Sequence, residues 1–151
     1  MIKIFLNLAI ILCFGTTYAQ SNKIVVHIEN INVLNGNLMI AIFDNEAEFK
    51  TKEKPVFADT LSIDKHSAET TFKNIPDGIY AVAVYHDENS DGKLNALKLG
   101  IPNEGIGFSG QIKSFLKAPK FNDCNFEITN DTTIVVSMHY RGSKSESTSP
   151  N

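Results

Sequence analysis

The sequence has no tryptophan, two cysteines, and 14 basic residues against 17 acidic ones among its 151 residues. Its formal net charge of −3 at pH 7 excludes nonspecific nucleic-acid binding, which needs a basic surface. Cys13 lies in an apolar N-terminal run, so removal of that run leaves Cys124 without an intramolecular disulfide partner. We therefore expect a hydrophobic core to supply the stability, with Cys124 as a buried, unreactive thiol.

Catalytic signatures are also missing from the chain. There is no GxSxG nucleophile elbow, no CxxC pair and no glycine-rich phosphate loop. The histidines lack the HxH or HxxxH spacing of a zinc site, and a pairing of His27 with His139 would still need a third ligand. These absences favour surface or packing roles for the histidines.

The two ends of the chain differ in composition from the part between them. Lys3 precedes an almost entirely apolar run over residues 4–14, and the TYA tripeptide at 17–19 resembles a small-residue cleavage site. A membrane span needs about 20 apolar residues, which is more than this run provides. We predict that residues 1–19 are a secretory signal peptide and that the protein is exported to the periplasm or the cell surface, with no transmembrane segment after cleavage. Residues 141–151 lack apolar side chains and predict a disordered tail.

Residues 20–140 show the pattern of a single all-β domain. Asn35-Gly36 predicts a hairpin between the first two strands, and Asp44 predicts the cap of one helical turn that ends before Pro55. With no long amphipathic helix, this pattern favours a seven-stranded antiparallel β-sandwich with one long ordered loop. The predicted strands cover residues 23–31, 38–43, 57–63, 68–72, 79–86, 121–128 and 133–140.

The long loop, residues 86–110, contains the most informative motif. Asp87, Asn89 and Asp91 alternate and are followed by Gly92, which matches the first half of a calcium-binding loop. The predicted calcium ligands are Asp87, Asn89, Asp91, Lys93 through its carbonyl, Asn95 and Glu104.

This motif is not an EF-hand. Position twelve is Lys98 rather than glutamate, and a predicted strand rather than a helix precedes the loop. We predict a strand-to-loop calcium site with a dissociation constant of about 10⁻⁴–10⁻³ M. An Asx-rich turn without metal is the alternative, because Asp, Asn, Ser and Gly are common turn residues.

The order of these segments resembles a bacterial secreted family known as the domain of unknown function number 2141. The matching pieces are FxxIPxGxYAV at 72–82, HDxNxDGKL at 86–94 and GIPxEGxGFS at 100–109. The chain departs from the family pattern at Asn95, where aspartate is common, and the neutral side chain implies weaker calcium binding. The IPxGxY segment is more distantly similar to transthyretin-like and collagen-adhesin B-type domains. The resemblance implies a prealbumin-like β-sandwich and no established activity.

Three functions are open at this point. The first is an exported, non-enzymatic binding or structural domain, whose calcium-stabilised loop presents Ile106 and Phe108 to a protein or small ligand at the cell envelope. The second is a periplasmic hydrolase or metalloenzyme that uses His86, Asp87 and Glu104, because carboxylates beside a histidine can do acid–base chemistry. The third is a carbohydrate-binding accessory module, which ranks last because the chain has no tryptophan. We predict the first and expect no enzymatic activity.

Overall fold

The computed structural model describes residues 21–97, 100–110 and 117–141. The predicted signal peptide and all of the predicted tail but Arg141 lie outside these residues. The described part forms eight strands and two short helices in two sheets, which confirms the all-β prediction. The strands are β1 Asn22–Glu29, β2 Asn37–Phe43, β3 Phe57–Ser62, β4 Ala68–Ile75, β5 Gly78–Asp87, β6 Ile106–Phe108, β7 Phe126–Ile128 and β8 Thr132–Ser137, and the helices are α1 Glu46–Thr51 and α2 Phe121–Cys124.

The sheet arrangement differs from the predicted one in strand number and direction. The smaller sheet has the order β4-β1-β8, and the larger has the order β3-β2-β5-β6, with β7 also paired to β5. The described residues thus contain eight strands rather than seven, and β1 and β8 run parallel rather than antiparallel. The additional strand, β6, is three residues long with Gly107 at its centre, too short to show an alternating pattern. In addition, the predicted strand 121–128 divides into α2 and β7.

The predicted hairpin between the first two strands is wrong. β1 pairs with β4 and β8, whereas β2 pairs with β3 and β5, so the Asn35-Gly36 turn joins two sheets. A type I′ hairpin turn needs positive φ at both central residues, but only Gly36 of this pair has it, at +79°. A Cβ atom on Gly36 would lie 2.1 Å from the carbonyl oxygen of Asp87. The glycine is therefore needed where the turn approaches the end of β5.

Helix α1 is capped one residue later than predicted. Asn45, not Asp44, accepts a hydrogen bond from the backbone N–H of Glu48 at 3.0 Å. The helix ends at Thr51, and its C-cap Lys52 has a left-handed φ of 60°, so the helix stops before the chain reaches Pro55. The buried side of this short helix carries Phe49.

The larger sheet has apolar side chains on both faces. The inner face shares the main core with the smaller sheet, as shown by the burial of Val82 and Val84 of β5 together with residues of β1, β4 and β8. The outer face carries a second apolar cluster, which α1 and α2 partly cover. Its buried members are Phe43, Phe49, Ala81, Ala83, Ile106, Phe108, Phe121 and Cys124.

Two further predictions concern the thiol of Cys124 and the absence of a membrane-spanning helix. Cys124 is 2 % exposed, and burial raises the pKa of its thiol, which agrees with an unreactive packing residue. Within the described ranges, no helix combines the length and apolar character required to cross a bilayer.

Candidate functional site

His86 lies at the base of the long loop and is fully buried. Its Nε2 atom lies 2.6 Å from the backbone carbonyl oxygen of Asn35. Because a carbonyl oxygen can only accept a hydrogen bond, Nε2 carries a proton and donates this one. Nδ1 lies 2.8 Å from the hydroxyl oxygen of Tyr140. Because both ring nitrogens are bonded inside the protein, His86 joins the 35–36 turn and the C-terminal segment to the base of the loop.

Asp87 follows His86 at the end of β5 and is 2 % exposed. Its Oδ1 accepts a hydrogen bond from the backbone N–H of Asp91 at 3.1 Å, and its Oδ2 accepts one from Gly92 at 2.8 Å. A buried carboxylate needs such donors to offset the loss of water. Asp87 therefore closes residues 87–92 into a compact turn.

Glu104, farther along the loop, is also a buried carboxylate that accepts backbone hydrogen bonds, and it is 4 % exposed. Its Oε2 accepts the backbone N–H of Asn95 at 2.7 Å, and its Oε1 accepts that of Glu88 at 3.2 Å. The 88–95 segment is thereby held against residue 104, which sequence spacing alone does not show.

Asp91 is the exposed carboxylate of the motif. Its Oδ2 lies 3.1 Å from Nδ2 of Asn95 and 3.2 Å from Nδ2 of Asn89, and its Oδ1 accepts the Lys93 backbone N–H at 2.9 Å. The hydrogen bond from Asn95, with smaller contributions from Lys93 and Asn89, lowers the pKa of the Asp91 carboxyl. The Asn95 amide nitrogen is also 3.4 Å from Oε1 of Glu104, so it bridges two carboxylates.

The structure brings some, but not all, of the six predicted calcium ligands into contact. Asn95 links Asp91 to Glu104, while the oxygens of Asp87 accept backbone N–H groups of the same loop. Throughout the described ranges, no three or more His, Cys, Asp or Glu side chains are grouped to hold a metal ion. The donors are nevertheless the hard oxygen atoms that calcium prefers, so the residues fit that ion by their chemistry. Calcium binding stays a prediction.

A pocket of about 350 Å³ opens on the outer face of the larger sheet, and we call it the outer pocket. Ala41, Ala83 and Phe108 are cross-strand neighbours in its lining, and the two small alanines leave the space. Residues 92–94 of the long loop line the pocket as well. The remaining lining residues are Phe43, Lys52, Val84, Tyr85 and Ile106.

The loop and the outer pocket are physically connected. The Tyr85 hydroxyl donates a hydrogen bond to the Gly92 carbonyl at 3.3 Å, and both residues line the pocket. Gly92 is in turn held by Asp87. The Asp/Asn motif therefore determines the position of part of the pocket wall.

Lys52 supplies a positive charge at the outer pocket. The residue is exposed overall, but its Nζ lies 3.5 Å from the ring centroid of Phe49 and 5.2 Å from that of Phe108. It also donates a hydrogen bond to the Phe49 carbonyl. Burial of the ammonium against the rings lowers the pKa of Lys52 to about 8, and the nearby Cys124 offsets part of that effect.

A second pocket, of about 340 Å³, lies next to the first between α1 and residues 117–121. Lys52 lines both pockets, so the two are neighbours on the surface. We call the second one the basic pocket, because its lining includes four lysines and one acidic residue. These are Lys50, Lys52, Lys117, Lys120 and Glu46, with Phe49, Ala118, Pro119 and Phe121 completing the lining.

Sequence reasoning named Ile106 and Phe108 as ligand-facing residues but missed the pockets. The available signal was the pair of alanines, Ala41 and Ala83, at the outward positions of two otherwise bulky strands. Without the strand register, nothing in the sequence places these alanines side by side.

The fold and the loop define a class: an all-β protein of two sheets with an Asp/Asn-rich loop closing one end of a central strand. The chain belongs to the bacterial family described as "Uncharacterized protein conserved in bacteria (DUF2141)", which matches residues 26–136. The expected family is thereby confirmed. No curated protein and no solved structure matches the chain, so the more distant transthyretin-like relationship is not confirmed.

Proposed function

We propose that this protein is an exported, non-enzymatic β-sandwich domain that binds a small ligand in the outer pocket. The proposal rests on one observation: residues 92–94 of the Asp/Asn loop line the same pocket as Ile106 and Phe108 of β6. Ligand sites are typically concave, mostly apolar and about 300–1,000 Å³ in volume, with a few polar groups. The outer pocket has these properties, and the almost entirely apolar run at residues 4–14 supports export.

Calcium has a supporting part in this proposal. The Asn95 amide bridges the carboxylates of Asp91 and Glu104, and a bound cation would neutralise those two charges more fully than an amide can. Asp87, Asn89 and the Lys93 carbonyl would complete the oxygen donors. The ion would stabilise the closed loop and with it the wall of the outer pocket.

The other two functions lack a supporting observation. His86, Asp87 and Glu104 are buried, and their side-chain atoms bind turn and loop atoms, an arrangement that favours a structural role over proton transfer. A carbohydrate platform calls for exposed aromatic rings. The large apolar side chains exposed on the described surface are aliphatic: Val33, Leu34, Val56, Ile79, Leu94, Leu97 and Val135.

The test uses the mature chain and the neutral fluorophore N-phenyl-1-naphthylamine, which brightens in apolar surroundings. We expect saturable binding by the unaltered protein and its loss in Ala41→Phe, because the larger side chain fills the pocket. Ala58→Phe is the matched control, since Ala58 is the cross-strand neighbour of Ala41 but does not line the pocket. Absence of binding, or equal binding by Ala41→Phe, would contradict the proposal.

The calcium part is tested separately with the same fluorophore. Millimolar calcium should raise the melting temperature and tighten fluorophore binding relative to a chelator, as expected for an ion that binds the folded state. Asp91→Ala should remove both effects. An identical response in calcium and chelator would remove calcium from the proposal and leave the pocket in place.

A further inference from the structure

We infer that the ligand of the outer pocket is an amphipathic organic anion, an acid with an apolar body and one carboxylate. This inference rests on the proposed function and specifies the ligand class. The apolar body would occupy the outer pocket, and the carboxylate would pair with Lys52 at the border with the basic pocket.

The first argument is the sign of the charge around the outer pocket. Its charged lining residues among those described are Lys52 and Lys93, and no acidic side chain is among them. The chain as a whole carries more acidic than basic residues. The charges in the lining itself therefore favour an anionic ligand over a cationic one, while the carboxylates of Asp87, Glu104 and Asp91 act on the Tyr85 side of the pocket, away from Lys52.

The second argument is the environment of the Lys52 ammonium. It lies among the rings of Phe43, Phe49 and Phe108, and its hydrogen bond goes to a neutral carbonyl. In the described part of the structure, no carboxylate forms an ion pair with it. A poorly hydrated charge gains more from an opposite charge than an exposed one does, because the local dielectric constant is lower.

The third argument is the position of Lys52 between two chemically different pockets. On one side, the alanine-lined outer pocket accepts apolar groups. On the other, Lys50, Lys117 and Lys120 surround the basic pocket, opposed by Glu46. A molecule with its apolar part in the first pocket therefore directs its head group toward a cluster of cations.

The test compares two probes of nearly the same shape, 2-naphthoate and 2-naphthamide, by displacement of N-phenyl-1-naphthylamine from the mature chain at pH 7. We expect 2-naphthoate to bind about tenfold more tightly, the usual effect of a charge-assisted hydrogen bond. Lys52→Met should abolish this preference without weakening 2-naphthamide, whereas Lys52→Arg should keep it. Lys65→Met, a remote lysine change, is the control and should behave as the unaltered protein.

The outcomes separate this inference from the proposed function. If the fluorophore binds but the two probes compete equally, the ligand class is wrong and the pocket still stands. If Lys52→Met retains the preference for 2-naphthoate while binding the fluorophore normally, the assignment to Lys52 is wrong. If the fluorophore does not bind the unaltered chain, the proposed function itself fails.

Discussion

The hydroxyl oxygen of Tyr140 lies 2.8 Å from Nδ1 of His86, and the two rings meet edge to face with centroids 5.8 Å apart. Nε2 of His86 donates to the Asn35 carbonyl, so both ring nitrogens have a hydrogen-bond partner inside the protein. Burial raises the pKa of Tyr140 to about 12, so the hydroxyl keeps its proton at neutral pH. The contact ties the last described segment of the chain to the base of the Asp/Asn loop.

Tyr140→Phe should therefore destabilise the protein by about 1–3 kcal/mol, because it leaves a buried nitrogen of His86 without its hydrogen-bond partner. Tyr85→Phe is the matched control. Its hydroxyl bonds the Gly92 carbonyl at 3.3 Å in an exposed position, so its loss should cost no more than about 0.5 kcal/mol. Denaturant unfolding of both variants measures the difference. Equal losses would show that the buried hydrogen bond is unimportant.

Gly36→Ala should be far more damaging than Gly92→Ala. Both glycines have left-handed φ values, +79° and +77°, so an alanine at either position costs about 1–2 kcal/mol in backbone strain. At Gly36 the added Cβ would also meet the Asp87 carbonyl oxygen at 2.1 Å, whereas nothing lies within 4 Å at Gly92. The difference between the two melting temperatures thus isolates the contact between the turn and β5. Similar values for the two variants would contradict that contact.

The sequence contained enough to predict β5 and the loop that follows it. β5 alternates large core residues with Ala81 and Ala83, and the loop motif is a local pattern of neighbouring positions. The Asn35-Gly36 turn misled the prediction because a hairpin signal reports backbone conformation, not which strands pair afterwards. Pairing depends on burial across the whole chain, and β1 instead takes β4 and β8 as partners.

The candidate sites were predictable only in part. The carboxylates of the loop were identified from the sequence, but their partners are backbone N–H groups and the side-chain amides of Asn89 and Asn95, whose positions a sequence does not give. Glu104 contacts Asn95 because the chain folds back between them. The outer pocket needs the register that sets Ala41 beside Ala83 and the left-handed Lys52 that ends α1. The register is a product of tertiary packing, and Lys52 is not the glycine that usually marks a left-handed helix cap.

Asn95→Asp should make stability depend more strongly on calcium. In chelator the variant should melt below the unaltered protein, because a third carboxylate replaces the amide that bridges Asp91 and Glu104. In millimolar calcium the added charge should bind the ion, so the rise in melting temperature should exceed that of the unaltered chain. Asn89→Asp is a comparison at the exposed end of the motif. A variant that is equally destabilised with and without calcium would contradict an ion at this position.

Binding of 2-naphthoate should weaken as the pH rises through about 8. The probe stays anionic over this range, while Lys52, whose pKa burial lowers to about 8, loses the charge that attracts it. The loss between pH 7 and pH 9 should reach about tenfold, whereas 2-naphthamide should be unaffected. Lys52→Arg should flatten the profile, because a guanidinium keeps its charge. A pH effect that persists in Lys52→Arg would assign the titration to another neighbouring group. Among the described residues, the other charged or titratable groups that line the two pockets or act on Lys52 are Glu46, Lys50, Tyr85, Lys93, Lys117, Lys120 and Cys124.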